Sequence, residues 1–190
     1  MVIGISAVFL DRDGTINDDI GYLGNPDDVV IIPGVAKALA RLNSKNIPVI
    51  VITNQSGIGR GFYKWSDFRA VMCRITSVLA DYGAHIDAIY VAPHHPDGLG
   101  SYSHPNHPDR KPNPGMLLRA AKENDIDIRY SWMIGDKRID LEAGRSAGCK
   151  VALVRTGYGR LVDGDLADLV AENLDAAIDG ILGSSKSFSG

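Results

Sequence analysis

The sequence predicts an α/β fold, a Rossmann-like parallel sheet with helices on both faces. Short apolar runs alternate along the chain with segments whose apolar residues recur at helical spacing. The run PVIVIT at residues 48–53 is apolar throughout, which is typical of a strand buried on both faces of a parallel sheet. With 190 residues, 45% of them hydrophobic, the chain is long enough for one domain with a sizeable core.

The first half of the chain predicts three strands and two helices. A strand at 6–10 precedes an irregular segment and a helix that opens at Gly34. The strand at 48–53 ends in a polar, glycine-rich loop, NQSGIGRG. Ser66 is the expected cap of the next helix, because its side-chain oxygen can accept a backbone hydrogen bond. A third strand is expected at 86–91.

The second half repeats the alternation after a long interruption. Pro114 suits the first position of a helix, since that position needs no N–H. Strands are expected at 132–134 and 151–154, with a helix between them that Gly148 closes. A weak strand near 169–170 and a last helix from Leu174, for which Asn173 is a plausible cap, complete the list of elements.

Residues 93–113 form the least regular part of the sequence, and 93–114 contains six prolines and four histidines. Loops this long are uncommon in compact domains and are usually functional or disordered. We expect a single domain over 1–183 that includes this loop, and a disordered tail at 184–190, which is small and polar.

Composition and charge argue against several classes of protein. The net charge of −3 and the pI near 5.9 provide no basic surface for nucleic acid. No apolar run approaches the roughly 20 residues that span a bilayer, and the N-terminus lacks the basic start of a signal peptide. Cys73 and Cys149 are expected as reduced core thiols. We therefore expect a cytoplasmic monomer without nucleic-acid or membrane partners.

Polar side chains follow three predicted strands at the point where each strand ends. The three sets are Asp11 with Asp13, Thr53 with Asn54, and Asp136 with Lys137. Ligands bind at the carboxyl ends of strands in open parallel sheets, and all three sets fall on that edge. Arg110 and Lys111 lie in the irregular loop nearby.

The stretch FLDRDGTIN alone has two interpretations, because Asp and Gly are also ordinary turn residues. The other two strand ends favour a site. Acids that hold a divalent cation, together with donors and a lysine that neutralise phosphoryl oxygens, are what phosphoryl transfer requires. Asp11 would attack phosphorus and form an aspartyl phosphate. Asp13 would protonate the leaving oxygen and then activate water.

These residues also resemble a known family. DRDGT at 11–15, Thr53, Lys111 and GDKRID at 135–140 resemble the four motifs of the haloacid dehalogenase superfamily of phosphatases. Within it, FLDRDGTIN, VITNQSGIGRG and RKPNPGM are similar to the heptose 1,7-bisphosphate 7-phosphatases and the related histidinol phosphatases. The resemblance covers roughly residues 7–160. It implies the haloacid dehalogenase fold without a large cap domain, Mg²⁺ as cofactor and a small phosphorylated sugar as substrate.

The resemblance also implies a role for each matching residue. Asp11 matches the nucleophile, Asp13 the acid/base, and Thr53 and Lys111 the residues that stabilise the transferring phosphoryl group. The implied Mg²⁺ ligands are Asp11, the backbone carbonyl of Asp13, and Asp136. The implied substrate-binding residues are Asp19, Tyr22, Asn54, Arg110 and Lys137. Asp140 is expected to orient Asp136 or Lys137 without touching the substrate.

The histidine-rich loop departs from the family pattern. The family usually has a Cys-x-His…Cys-x-Cys zinc site there, and the matching positions are Ala92, His94, His107 and Asp109. His94, His107 and Asp109, with His95 or His104, could supply the four ligands that zinc needs. The alternative, which we favour, is that prolines and local hydrogen bonds order the loop without metal.

The sequence thus predicts a Mg²⁺-dependent phosphatase that removes the 7-phosphate of heptose 1,7-bisphosphate in surface-polysaccharide biosynthesis. A histidinol-phosphate phosphatase is the alternative among enzymes. A phospho-accepting receiver module also uses acids, a threonine and a lysine around magnesium. Receivers, however, lack an acid two residues after the nucleophile. A catalytically idle binding protein is the third alternative.

Overall fold

The computed structural model describes residues 6–184, so residues 185–190 of the predicted tail lie outside the described residues. Six strands form one parallel sheet. They are β1 (Val8–Leu10), β2 (Val49–Asn54), β3 (Ala88–Ala92), β4 (Trp132–Gly135), β5 (Lys150–Val154) and β6 (Leu169–Ala171). Their order in the sheet is β3-β2-β1-β4-β5-β6, and every neighbouring pair is parallel. The predicted fold class is confirmed, and each strand lies within two residues of its predicted position.

Within residues 6–184, six α-helices connect and cover the strands. They are α1 (Val35–Asn43), α2 (Ser56–Gly59), α3 (Trp65–Ala80), α4 (Gly115–Glu123), α5 (Arg138–Ala147) and α6 (Leu174–Ser184). Gly148 ends α5 in the left-handed conformation with a φ of 93°, as a glycine cap does. Asn173 Oδ1 accepts the N–H of Ala176 at the start of α6. Within residues 6–184, no helix has the length and apolar character needed to cross a membrane.

The predicted cap of α3 and the predicted burial of Cys73 are wrong. Helix α3 begins two residues earlier than expected, with Lys64 as its N-terminal neighbour, and Ser66 does not cap it. Asp67 accepts the Lys64 N–H at 2.8 Å, while the Ser66 hydroxyl donates to Asp67 at 3.1 Å. The carboxylate three residues into the helix thus replaces the predicted hydroxyl cap. Cys149 is buried as expected, but Cys73 is exposed on α3.

The sheet separates two hydrophobic cores. One core contains Val8 and Leu10 of β1 with the apolar sides of α1, α3 and α6; the other contains Phe9 with those of α4 and α5. Successive strand residues point to opposite faces, which is why β1 contributes to both cores. Since burial of one Leu or Ile side chain contributes about 1.5–3 kcal/mol, this double packing holds the strand ends in fixed positions.

The centre of the sheet is the place where the strand order reverses. From β1 the chain continues to β2 and β3 on one side, and β4, β5 and β6 extend from the other side. The connections therefore diverge at the carboxyl ends of β1 and β4, where ligands bind in open α/β sheets. In residues 6–184, the segments after β1 and β2 contain only a 3₁₀ turn at Pro26–Asp28 and the four-residue helix α2 before the next long helix. Neither forms a cap domain.

Candidate active site

Asp11 lies directly after β1 and is paired with a buried lysine. Its carboxylate is 5% exposed, and its Oδ1 lies 2.9 Å from Lys111 Nζ. Burial raises the pKa of Asp11 above its ordinary value, while the Lys111 ammonium acts in the opposite direction. Asp11 Oδ1 also accepts the Arg12 backbone N–H at 2.7 Å. The side chain is therefore fixed in orientation at the carboxyl end of β1.

Lys111 is held by three contacts at its ammonium group. Besides Asp11, Nζ donates to the Ile52 carbonyl oxygen at 2.8 Å and to Asp140 Oδ1 at 2.6 Å. Burial opposes its charge, but Asp11 and Asp140 outweigh burial and raise the pKa of Lys111. The predicted role of Asp140 is thus partly different from the observed one. It holds Lys111 and, through Oδ2, accepts the backbone N–H of Lys137 at 2.9 Å.

Asn54 fixes the backbone of Lys111 from the end of β2. Its Nδ2 donates to the Lys111 carbonyl oxygen at 3.0 Å, and its Oδ1 accepts the Lys111 N–H at 3.0 Å. Asn54 also lines the cleft, as its predicted role in substrate binding requires. Because both ends of its amide already have protein partners, its clearest contribution is to position Lys111.

Asp136, after β4, is the candidate metal ligand that the structure defines best. It is fully buried; Oδ2 accepts the Tyr158 N–H at 2.8 Å, and Oδ1 has no partner among residues 6–184. Burial, and then the charge of Asp11, raise the pKa of Asp136 to about 7. A Cβ at Gly14 or Gly157 would lie 2.2 or 2.3 Å from Asp136 Oδ2, so only glycine fits at these two positions.

The three acids Asp11, Asp136 and Asp140 place one ligand atom each within 4.8 Å of one another. In residues 6–184 this is the single such group of His, Cys, Asp or Glu side chains. Asp140 already binds Lys111 and the Lys137 N–H, which leaves Asp11 and Asp136 for a cation. A buried carboxylate oxygen without a partner, close to a second carboxylate, suits a hard divalent ion such as Mg²⁺.

Asp13 lines the same cleft but is held from the protein side by hydrogen-bond donors. The Arg12 side chain binds it as a fork: Nη2 lies 2.7 Å from each carboxylate oxygen, and Nε 3.0 Å from Oδ1. Asn17 Nδ2 donates to Oδ1 at 3.0 Å, and Gln55 Nε2 donates to Oδ2 at 2.9 Å. The sequence did not indicate any of these three partners.

The remaining predicted residues line a cleft of about 600 Å³. Lys137 Nζ binds Asp19 Oδ2 at 2.7 Å and lies 5.0 Å from the Tyr158 ring centroid. Arg110 also lines the cleft, with Nη1 donating to the His94 carbonyl oxygen at 2.8 Å. All five predicted substrate-binding residues line this cleft. Tyr158 was not predicted.

Tyr22 belongs to a second group of unpredicted contacts at the rim. Its hydroxyl accepts from Arg60 Nη1 at 2.6 Å, and its ring packs edge-on against Phe62 with centroids 4.6 Å apart. The Arg60 guanidinium also lies over the Phe62 ring at 4.6 Å. Arginine stacking of this kind restricts the orientation of Tyr22 at the mouth of the cleft.

The histidine-rich loop is packed by its own side chains. The rings of His94 and His107 are stacked with centroids 3.4 Å apart and an interplanar angle of 6°. Burial, followed by His107, lowers the pKa of His94. Asp109 pairs with Arg119 at 2.5 Å, and Asn113 Nδ2 donates to the His107 carbonyl oxygen at 2.9 Å. Within 6–184, the suggested zinc set is not among the side-chain groups whose ligand atoms lie together.

Comparisons with known proteins agree with this geometry. A sequence profile of the family described as HAD-hydrolase-like matches residues 109–177. The chain is 44% identical over 163 residues to the D-glycero-beta-D-manno-heptose-1,7-bisphosphate 7-phosphatase of Mesorhizobium japonicum, covering 86% of this chain and 72% of that protein. It is also 44% identical over 175 residues to the protein of the same name from Haemophilus ducreyi, covering 90% and 96% of the two chains.

A solved structure of an enzyme of the same kind is also similar to this chain. The D,D-heptose 1,7-bisphosphate phosphatase of B. bronchiseptica, crystallised with magnesium and phosphate, superposes with a TM-score of 0.83 at 35% identity, covering 94% of this chain and 99% of that one. The fold and the strand-end acids define a phosphatase with the fold of the haloacid dehalogenase-like hydrolases. Within that class, the chain belongs to the family of the heptose 1,7-bisphosphate 7-phosphatases.

Proposed function

We propose that this phosphatase is Mg²⁺-dependent and removes the 7-phosphate of D-glycero-D-manno-heptose 1,7-bisphosphate. The observation that supports the reaction most directly is the buried Asp11 carboxylate, which is paired with the Lys111 ammonium and lies within 4.8 Å of a carboxylate oxygen of Asp136. The names of the similar proteins support the substrate. The cytoplasmic location and the monomeric state predicted from the sequence belong to the same proposal.

In the first half of the reaction, an oxygen of Asp11 bonds to phosphorus while the bond from phosphorus to the sugar oxygen breaks. Asp13 gives a proton to that departing oxygen. Thr53 and Lys111 donate to the phosphoryl oxygens, on which charge develops. When bound by Asp11, Asp136 and the backbone carbonyl of Asp13, Mg²⁺ neutralises part of this charge.

In the second half, Asp13 takes a proton from a water molecule, whose oxygen attacks the phosphorus of the aspartyl phosphate. The bond between phosphorus and Asp11 breaks, and inorganic phosphate leaves. Lys111 returns to its pairing with the free carboxylate of Asp11. Each catalytic group thus ends in the protonation state in which it began.

The rim of the cleft suits a substrate with a second phosphate. Arg110 and Lys137 provide two cations that line the cleft, while Asp19 and Tyr22 offer partners for sugar hydroxyl groups. Because residues 6–184 contain no cap domain over the site, the far end of a bisphosphate can remain at the open mouth. The cations at the mouth would then bind the phosphate that is not hydrolysed.

The test is the turnover of purified protein with Mg²⁺ on both anomers of heptose 1,7-bisphosphate and on histidinol phosphate. We expect preference for a heptose bisphosphate, release of one phosphate per molecule, and no turnover by Asp11→Asn. A preference for histidinol phosphate would contradict the substrate. Activity retained by Asp11→Asn would contradict the nucleophile, and failure to turn over repeatedly would favour a receiver-like module.

A further inference from the structure

We propose that Gln55 is a positioning residue for the proton-transfer step, because its side-chain amide fixes the carboxylate of Asp13 relative to Thr53. This inference rests on the acid/base role of Asp13 in the proposed function. Gln55 follows β2 directly; it is 3% exposed, and its backbone N–H bonds to the Ala92 carbonyl oxygen at 2.8 Å. The side chain therefore starts from a fixed strand end.

Every polar atom of the Gln55 side chain has a partner. Nε2 donates to Asp13 Oδ2 at 2.9 Å and to Thr53 Oγ1 at 2.8 Å, which uses both of its N–H groups. Oε1 accepts the Tyr63 hydroxyl. A flipped amide would turn an oxygen toward the Asp13 carboxylate, which only accepts hydrogen bonds when it is ionised. The amide thus has one orientation, and that orientation fixes Asp13 Oδ2.

The other oxygen of Asp13 is held from a different direction. Arg12 and Asn17 both bind Oδ1, while Arg12 Nη2 also lies 2.7 Å from Oδ2 and so shares that oxygen with Gln55. Arg12 is fully buried, with its guanidinium 5.6 Å from the Phe68 ring centroid. Partners on two sides fix the rotation of the carboxylate, which still lines the cleft. A general acid acts only within hydrogen-bond reach of the leaving oxygen, so a small rotation costs rate.

Gln55 also constrains the Thr53 hydroxyl. Because Gln55 Nε2 donates to Oγ1, the Thr53 O–H remains available to donate to a phosphoryl oxygen. One neutral amide thus links the residue that binds the transferring group with the residue that protonates the leaving group. Replacing Gln55 changes no charge, whereas replacing Arg12 would leave the Asp13 carboxylate without its cation.

The test uses the leaving group of the substrate. Phenyl phosphate and 2,4-dinitrophenyl phosphate differ in their need for an acid: dinitrophenolate leaves without such help, and phenolate does not. The quantity to compare is kcat/KM, which reports the transfer of the phosphoryl group to Asp11. We expect Gln55→Met to lower kcat/KM for phenyl phosphate about tenfold more than for the dinitrophenyl ester. A loss of this size is smaller than the rate factor of about 10²–10⁴ that general acid catalysis contributes in full.

Two further variants calibrate this ratio. Tyr63→Phe removes only the hydroxyl that donates to Gln55, so we expect a smaller change in the same direction. Tyr90→Phe is the matched control, since it removes a tyrosine hydroxyl that donates to Glu123 outside the cleft. The ratio between the two substrates does not depend on the active fraction, so partial unfolding of a variant cannot mimic the effect.

Asp13→Asn separates this inference from the proposed function. It should lower kcat/KM for phenyl phosphate at least as selectively as Gln55→Met does. If Asp13→Asn affects both esters equally, the acid role of Asp13 is wrong. The other contrary result is that Asp13→Asn is selective for phenyl phosphate while Gln55→Met lowers kcat/KM equally for both esters, or for neither. That result overturns the positioning role of Gln55, and the proposed function stands.

Discussion

Replacing Asp136 with asparagine should stabilise the metal-free protein at high pH and remove most of the stabilisation by Mg²⁺. Asp136 is fully buried, and its Oδ1 has no partner among residues 6–184. Burial and the neighbouring charge of Asp11 raise the pKa of Asp136 to about 7. At pH 8 the metal-free protein therefore contains a buried anion without a cation, which costs free energy.

The sign and size of the change in stability with pH follow from the pKa values of Asp136 in the folded and unfolded states. The folded pKa of about 7 lies above the ordinary 3.8, so between these values the folded state keeps a proton that the unfolded state has lost. Stability then falls as the pH rises through this window. At about 1.4 kcal/mol per pH unit the total is about 4 kcal/mol, of which about 2–3 kcal/mol falls between pH 5 and pH 7.

Asparagine keeps the contacts that do not depend on charge. Its oxygen can still accept the Tyr158 N–H, and its NH₂ group can donate toward Asp11. We therefore expect the stability difference between Asp136→Asn and the unchanged protein to grow by about 2–3 kcal/mol from pH 5 to pH 8 in EDTA. Excess MgCl₂ should stabilise the unchanged protein much more than the variant.

Urea unfolding at both pH values, with EDTA or with MgCl₂, measures these differences. Asp81→Asn removes an exposed carboxylate at the end of α3 and controls for the loss of one negative charge. A pH-independent difference between Asp136→Asn and the unchanged protein would refute the reasoning about burial. Equal stabilisation of both by Mg²⁺ would refute the assignment of Asp136 as a ligand.

Three other substitutions test the structure at different depths. Lys111→Met removes the ammonium between two buried carboxylates. It should lower the free energy of unfolding in urea by about 3–5 kcal/mol and abolish turnover. A decrease in the free energy of unfolding below about 1 kcal/mol would contradict the pairing. Gly157→Ala puts a methyl group 2.3 Å from Asp136 Oδ2 and should weaken activation by Mg²⁺ at least about tenfold. Unchanged activation would argue against the close approach. Arg41→Ala removes a partly exposed pairing of α1 with two acids of α6, so we expect about 1 kcal/mol or less and normal turnover.

The strand-end residues could be predicted from the sequence because both of their determinants are local. An apolar run predicts a strand, and the polar residue after it indicates the carboxyl end of that strand, where ligands bind in open parallel sheets. Asp11, Thr53 and Asp136 were found in this way, and the structure brings them to the same edge of the sheet. Their roles in catalysis stay predictions.

The partners of Asp13 could not be predicted, because the sequence does not show which nearby or distant side chains pack against its carboxylate. Arg12 lies between two acids in the sequence, and this pattern is equally typical of an exposed turn. In the structure, however, Arg12 is fully buried. Gln55 is part of a glycine-rich loop, and its contact with Asp13 spans 42 positions. Tyr158 likewise reaches Asp136 from 22 positions away, through its backbone N–H, which no side-chain pattern reveals.

The loop at 93–113 joins the proposed substrate-binding residue Arg110 to the proposed catalytic residue Lys111, which follows it directly. Arg110 is fixed by the His94 carbonyl oxygen, and Lys111 by the amide of Asn54. A shift of the loop would therefore move the cation at the cleft wall and the ammonium beside Asp11 together. For this reason we expect the order of the loop, which the stacked rings of His94 and His107 support, to affect the rate of the proposed reaction as well as the choice of substrate.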